Sequence, residues 1–411
     1  MTAAIPSTKP NAEEQARLRS IAFLNWAHAL DHFVLLIYPT VVIGLEVIYK
    51  RPYAELIALS TAAFVAFGVF SLPAGWLADR WSRRNMMAAF FIGCGVSLLG
   101  VAASPNLIML AVSMFGVGMF AAIYHPVGMP MLLEASKAQG RTVAFNGVCG
   151  NLGAALAAGI AAAIASWFGW RAAFLVPAVV CILSGIAYVM LVPDDRHHTA
   201  KRKTVADVVL SQRAAMIMFG LYVVISLAGG LTFNTISIAL PKIVDERLGA
   251  DVPLLWVGSL ATAVFMCGAV AQIVVGRVVE YIKPYQLFAV VVALQFLGIL
   301  WAANSSGMTL LLALALSMAA IYGQVTVGDL VIARYTADAW RGRVYAVRYF
   351  LTFVSSGAAV SIIAWLYSRG GFDLLLAAVA GIAGIFLAGV LGIVFLVSGV
   401  ERARRVAQPA E

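Results

Sequence analysis

The sequence predicts an all-α membrane protein with twelve transmembrane helices in two six-helix, pseudo-symmetric halves and both termini cytoplasmic. Three observations carry that prediction. Of 411 residues, 62% are hydrophobic and 11% charged, with a mean hydropathy of +0.93. A soluble domain has about 25% charged residues, so this chain has too little polar surface to cover a water-soluble globule, and a conventional soluble enzyme is excluded. The apolar runs recur at the length of about 20 residues that a helix needs to cross a bilayer. Finally, residue patterns repeat at an offset of 201–202 positions along the chain.

In chain order, the first twenty residues are polar and mixed in sign, with Lys9, Glu13, Glu14, Arg17 and Arg19. The apolar run behind them is too long for a signal-peptide core and holds Asn25, His28, Asp31 and His32, so it reads as a retained first span. The expected spans are 20–45, 55–79, 85–104, 107–134, 141–167, 171–192, 214–243, 253–280, 284–303, 308–333, 341–368 and 373–398. A basic interruption at 193–213 contains Arg196, His197, His198, Lys201, Arg202 and Lys203. It separates an N-terminal bundle (1–192) from a C-terminal bundle (214–411). Cys94, Cys149, Cys181 and Cys267 sit singly in apolar runs without metal or redox spacing, and read as small core residues.

Lys and Arg set the orientation. The N-terminus, the even-numbered loops and the C-terminal tail, with Arg348 just inside span eleven, hold 22 of the 28 basic residues. The other face has six: Lys50, Arg51, Arg171, Lys242, Arg247 and Arg369. Both termini are therefore expected in the cytoplasm, in a multi-pass bacterial inner-membrane protein. The formal charge of +9 is a topology signal, and no nucleic-acid partner is expected.

Gly75-Trp-Leu-Ala-Asp79 precedes the loop after span two, and Gly276-Arg-Val-Val-Glu280 precedes the loop after span eight, 201 residues later. Arg141 and Gly169 bracket span five 28 residues apart, as Arg343 and Gly371 bracket span eleven. This argues for duplication of a six-helix unit with both copies in the same orientation. Small residues crowd span five (Gly147, Gly150, Gly153, Ala154) and span eleven (Ser355, Ser356, Gly357), which allows close helix contact.

Ionisable residues at membrane depth are functional candidates by default. His28, Asp31 and His32 stand at i, i+3 and i+4 near the middle of span one, so one helix face presents all three. Three chemistries fit them: proton or substrate binding in a cavity, a structural network satisfied inside the bundle, or a divalent metal or metal-chelate site that also draws on His125. The reading favours the first, and no resident metal or cofactor is assigned. In span four, His125 lies between Tyr124 and Pro126; the proline removes an N–H and can kink the helix. Asp329, Arg334 and Arg348 form an expected structural or gating charge cluster, although an anionic solute has a bidentate partner in Arg348.

The run Gly75-Trp-Leu-Ala-Asp79-Arg80-Trp-Ser-Arg83-Arg84 resembles the signature loop of the major facilitator superfamily, G-x-x-x-D-R-x-x-R-R, with every defining position filled. The second copy keeps Gly276 but has Glu280 in place of the aspartate and Tyr281 in place of the arginine, which weakens a gating role there. Within that family, His28-Ala-Leu-Asp31-His32-Phe33, Tyr124-His125-Pro126-Val127-Gly128 and Gly140-Arg141…Asn146-Gly147…Gly150-Asn151-Leu-Gly153 look like the fosmidomycin-resistance type of permease. The resemblance implies a secondary active transporter, often proton-linked, with a cavity lined mainly by spans one, four, seven and ten. Asn234 (seven) and Gln324 (ten) become candidates for that cavity on this basis. Asp79 is expected to bond the start of span eleven, around 341–343, when the cytoplasmic side is closed. The expected partners are a small-molecule solute, protons and the bilayer, with the chain a monomer. The expected function is proton-coupled export of a small polar or amphiphilic solute, anions included. The alternative is proton-coupled import of an organic anion, a sugar-related solute or a metal chelate.

Overall fold

A computed structural model describes residues 11–136, 139–193, 211–249, 252–336 and 338–407. Most of the 193–213 interruption and Lys137 lie outside the described residues. Every described element is helical, and eleven helices are long and apolar enough to cross a membrane.

Helix α1 (Ala12–Tyr49) begins where Asn11 accepts a hydrogen bond from the Glu14 amide at 2.8 Å, with Glu13 and Glu14 in its positive first turn. It ends at Lys50 in the left-handed conformation (φ 51°). A short α2 (Tyr53–Ala58) leads into α3 (Thr61–Arg80), so the expected second span is broken near its start. Ser82 caps α4 (Arg83–Ala103) and Asn106 caps α5 (Leu107–Ala121). Span four is not one helix. After α5 comes a π-helical turn at Tyr124–Gly128, then α6 (Met129–Ala135). Pro126 has no N–H to give the regular i→i−4 ladder, and a π turn absorbs the mismatch.

The remaining helices are α7 (Gln139–Phe168), α8 (Ala172–Leu191), α9 (Gln212–Arg247), α10 (Leu254–Val278), α11 (Pro284–Ala303), α12 (Gly307–Tyr335) and the 70-residue α13 (Asp338–Ala407). That last segment is two helices meeting at Gly370 and Gly371, where Gly371 has φ 57°, ψ −153°. Only glycine takes that conformation readily. Ser355 and Phe386 both pack on the adjacent pair Gly230 and Gly229 of α9. A straight helix would separate them by about 46 Å at 1.5 Å per residue, so the chain must double back at the glycine pair.

α1 packs on α7, α4 on α8, and α3 and α4 on α5; after the interruption, α9 packs on α13, α11 on α12 and α13, and α10 on α12. The two sets meet through α7–α10, α3–α13 and α1–α9. Val69, Leu72, Ile108, Val112, Leu183 and Phe395 are exposed on the outside, an apolar surface that only lipid tails would cover. Cys94 and Cys181 are buried as expected, but Cys267 is exposed, correcting its reading as a core residue. In a membrane helix an apolar environment includes lipid, so apolarity alone does not place a residue inside.

Candidate functional site

The site starts on α1. With a period of 3.6 residues, His28, Asp31 and His32 fall on one stripe, and Asp31 is fully buried. The π turn swings His125 toward that stripe, and His125 Nε2 lies 3.3 Å from Asp31 Oδ2. The pair is close but not aligned for a hydrogen bond, so both Asp31 carboxylate oxygens remain buried without a hydrogen-bond partner. An unsatisfied carboxylate at this depth is among the most costly groups a bundle can hold.

The imidazoles converge around it. His28 Nε2 and His32 Nε2 are 3.2 Å apart, and His28 Nδ1 is 2.8 Å from the Asn146 carbonyl oxygen on α7. A carbonyl only accepts, so His28 Nδ1 carries the proton and directs its Nε2 toward His32. The ligating atoms of His28, His32 and His125 all lie within 4.8 Å of one another. Tyr124 stacks on His28 with ring centroids 4.7 Å apart and an interplanar angle of 20°. Its hydroxyl donates to Asn146 Oδ1 at 3.0 Å, while Asn146 Nδ2 donates to Asn25 Oδ1 at 2.9 Å. Gly150 makes the approach possible: a Cβ there would stand 2.6 Å from His28 Nε2. Phe353 on α13 closes the far side, 5.5 Å from the His125 ring and 5.1 Å from Phe67.

Other sequence candidates lie elsewhere. Asn234 is not free in a cavity; its amide donates to Gly230 O at 2.9 Å and Ser355 Oγ at 3.2 Å, tying α9 to α13. Gln324 is buried on α12. Arg348 pairs with Asp329 at 2.6 Å and Tyr345 donates to the Asp329 carbonyl at 2.9 Å, whereas Arg334 is exposed.

In the signature turn, Asp79 pairs with Arg83 at 2.9 Å, and Arg83 with Glu134 at 2.6 Å. Arg80 lies over the Trp76 ring, 4.2 Å from its centroid. Arg84 donates to the Val192 and Val189 carbonyls at 2.9 and 2.5 Å, capping the end of α8. A Cβ on Gly75 would meet Pro126 at 3.3 Å, whereas one on Gly276 would meet nothing within 4 Å. The close approach at Gly75 therefore has no packing counterpart at Gly276, and Glu280 of the second copy is exposed. The Arg341 side chain, in the expected partner region for Asp79, lies outside the described residues.

Sequence reasoning missed a second cluster at the opposite end of the bundle. Lys242 on α9 contacts Glu46 of α1 at 2.5 Å, Asp245 at 2.9 Å and Glu246 at 3.5 Å. Tyr367 bonds Glu246, and the Tyr53 and Tyr367 rings meet at 5.0 Å. The signal was the Lys242…Asp245-Glu246 spacing at i, i+3 and i+4, but only the fold brings Glu46 to it.

A family model described as Major Facilitator Superfamily matches residues 21–323. Among similar curated proteins, a "Lincomycin resistance protein" of Streptomyces lincolnensis is 28% identical over 64% of this chain and 48% of its own length. A "Probable 4-methylmuconolactone transporter" of Cupriavidus pinatubonensis is 25% identical over 63% of this chain and 60% of its own length. A "Probable L-galactonate transporter" of Escherichia coli is 28% identical over 35% of this chain and 32% of its own length. The chain thus spans between about a third and three-fifths of these relatives. A solved bacterial homolog of the human lysosomal transporter Spinster superposes with a TM-score of 0.72 at 13% identity, covering 95% of this chain and 97% of the other. That likeness is one of fold.

Proposed function

Because the chain belongs to the Major Facilitator Superfamily, we propose that it is a secondary active transporter that moves a small polar or amphiphilic solute by alternating access, coupled to protons and directed outward. The observation that carries this reading is Asp31, a fully buried carboxylate with no hydrogen bond, ringed by three imidazoles between α1 and the π turn. Such a group binds and releases a proton as its surroundings alternate between water and protein.

The reading takes the chain as twelve crossings, counting the two helices joined at Gly370–Gly371 separately, with halves 1–192 and 214–411 and both termini in the cytoplasm of a bacterial inner-membrane monomer. The halves touch through Glu46–Lys242, Tyr53–Tyr367, Ser356–Phe64 and Thr262–Ala155. These contacts run from the Lys242 end to mid-depth. At the Asp79 end, the described ion pairs Arg83–Glu134 and Lys283–Glu401 stay within one half. Among the described residues, this arrangement supports an inward-facing state.

An importer of an organic anion is the second reading, and two observations favour it: three imidazoles gather around one point inside the bundle, and two similar proteins are named as probable transporters of L-galactonate and 4-methylmuconolactone. The name of the lincomycin protein supports export of an amphiphile. Purified protein in proteoliposomes decides between them. Solutes are first chosen by thermal-shift binding, then offered on either side with an imposed ΔpH. Flux against a solute gradient, driven by ΔpH, supports a coupled carrier and gives its direction. Binding without flux would mark a receptor and overturn the proposal.

A further inference from the structure

We infer that His28, His32, His125 and Asp31 form a binding site for one divalent transition-metal ion of the zinc class. Zinc holds imidazole nitrogens at 2.0–2.1 Å in tetrahedral sites, which places two ligands on one ion about 3.3 Å apart. His28 Nε2 and His32 Nε2 are 3.2 Å apart, and His125 Nε2 and Asp31 Oδ2 are 3.3 Å apart. The His28–His32 pair has the spacing of one tetrahedral edge, the three imidazoles lie within 4.8 Å of one another, and Asp31 adjoins that group through His125 and would complete it by a shift of its side chain. The i, i+4 placement of His28 and His32 on α1 makes the first edge a property of the helix itself.

Two further features point the same way. The Asn146 carbonyl accepts a hydrogen bond from His28 Nδ1–H at 2.8 Å, an outer-shell contact of the kind that fixes the tautomer and orientation of metal-ligating histidines. Both Asp31 oxygens are buried without a hydrogen bond, and a divalent cation satisfies a carboxylate in a way that one neutral imidazole at a poor angle does not. Three imidazoles and one carboxylate suit zinc and its neighbours, whereas calcium and magnesium prefer all-oxygen sites.

The ligand atoms are the ones that take up protons, so metal and protons compete and binding releases protons. The other titratable groups facing the cluster are Tyr124 of the π turn and Cys94 of α4, with Cys149 of α7 beside Tyr124. Zinc affinity therefore falls as the medium is acidified. The consequence for flux, that zinc blocks ΔpH-driven movement of solute, rests on the reading of this cluster as the coupling site; the binding does not.

The test uses the purified full chain, stripped with a chelator and titrated with Zn²⁺ alone by calorimetry in two buffers of different ionisation enthalpy. One ion per chain should bind, with proton release. His32→Gln and His125→Gln should each weaken binding by at least the roughly 100-fold that loss of an outer-shell partner can cause. Absence of stoichiometric binding, or binding in both variants as tight as in the unmodified chain, would overturn the site. Co²⁺ loading of the unmodified chain guards against misfolded variants: an intense tetrahedral visible spectrum supports the site, and a weak octahedral one overturns it. Zinc that binds but leaves ΔpH-driven flux intact would instead overturn the coupling role. No zinc binding, with flux still lost in Asp31→Asn, would overturn the metal site and spare the coupling role.

Discussion

Asp31 carries the largest unsatisfied demand of any single residue in the site. Its carboxylate is fully buried, and the His125 imidazole 3.3 Å away gives it no hydrogen bond. Asp31→Asn fixes the position as though protonated, so ΔpH-driven flux in proteoliposomes should disappear. Solute exchange at equal pH should persist, because exchange does not require the carrier to return deprotonated. Accumulation against a gradient by the variant would move the coupling role to His125 or Asp329. Asn146 is the second informative residue, since it joins Tyr124, Asn25 and the Leu24 carbonyl. Interhelical hydrogen bonds in membranes are worth about 0.6 kcal/mol each, so Asn146→Leu should cost roughly 2 kcal/mol and lower the thermal midpoint in detergent. An unchanged midpoint would show that the network does not stabilise the bundle. The α1 triad was legible from spacing alone, because a helix turns i, i+3 and i+4 to one side. Convergence of His125 and Asn146 on it was not, since it depends on how α7 and the π turn pack against α1.

Elements were legible in proportion to how local their causes are. Pro126 announced a disturbed span four, but a kink and a π turn remove the same hydrogen bond, and only the surrounding packing chooses between them. The short α2 went unseen because the run from Tyr53 stays apolar across the break at Leu59 and Ser60. In span five the small residues were visible, and the fold shows what they are for. A Cβ at Gly153 would lie 1.9 Å from the Ala29 carbonyl oxygen, so α7 and α1 touch backbone to backbone one turn from His28. Overpacking of this kind costs about 1–3 kcal/mol. Gly153→Ala should therefore push α7 off α1, lower the thermal midpoint and weaken solute binding together. A variant with wild-type melting and binding would mean that the interface yields freely. Gly276, which meets nothing, makes the matching control, and its alanine variant should be neutral.

On the scale of the whole molecule, the all-helical, many-span architecture was legible because apolar runs of membrane-crossing length are written along the chain. Contacts between the halves were not foretold, because they join residues far apart in the chain, from 107 positions for Thr262–Ala155 to 292 for Ser356–Phe64. The Glu46–Lys242 contact is the chief example. Lys242 is buried among Glu46, Asp245 and Glu246, which are themselves partly exposed. Lys242→Gln leaves three carboxylates facing one another in the state closed at this end. Removing one member of a buried pair is strongly destabilising, and partial solvation reduces that to about 1–2 kcal/mol here. If the cost falls on the closed state alone, the ratio of outward- to inward-open molecules rises about 5- to 30-fold. Thr40, fully buried six residues inward of Glu46 on α1 with its hydroxyl unpartnered, reports the change. In a chain freed of its four cysteines, Thr40→Cys should react slowly with a membrane-impermeant thiol reagent applied from the Lys242 side. The rate should rise by that factor when Lys242→Gln is added, and by less with Glu46→Gln, which leaves Lys242 paired to Asp245. Equal labelling rates in all three would show that this cluster anchors α9 locally and does not hold the two halves together.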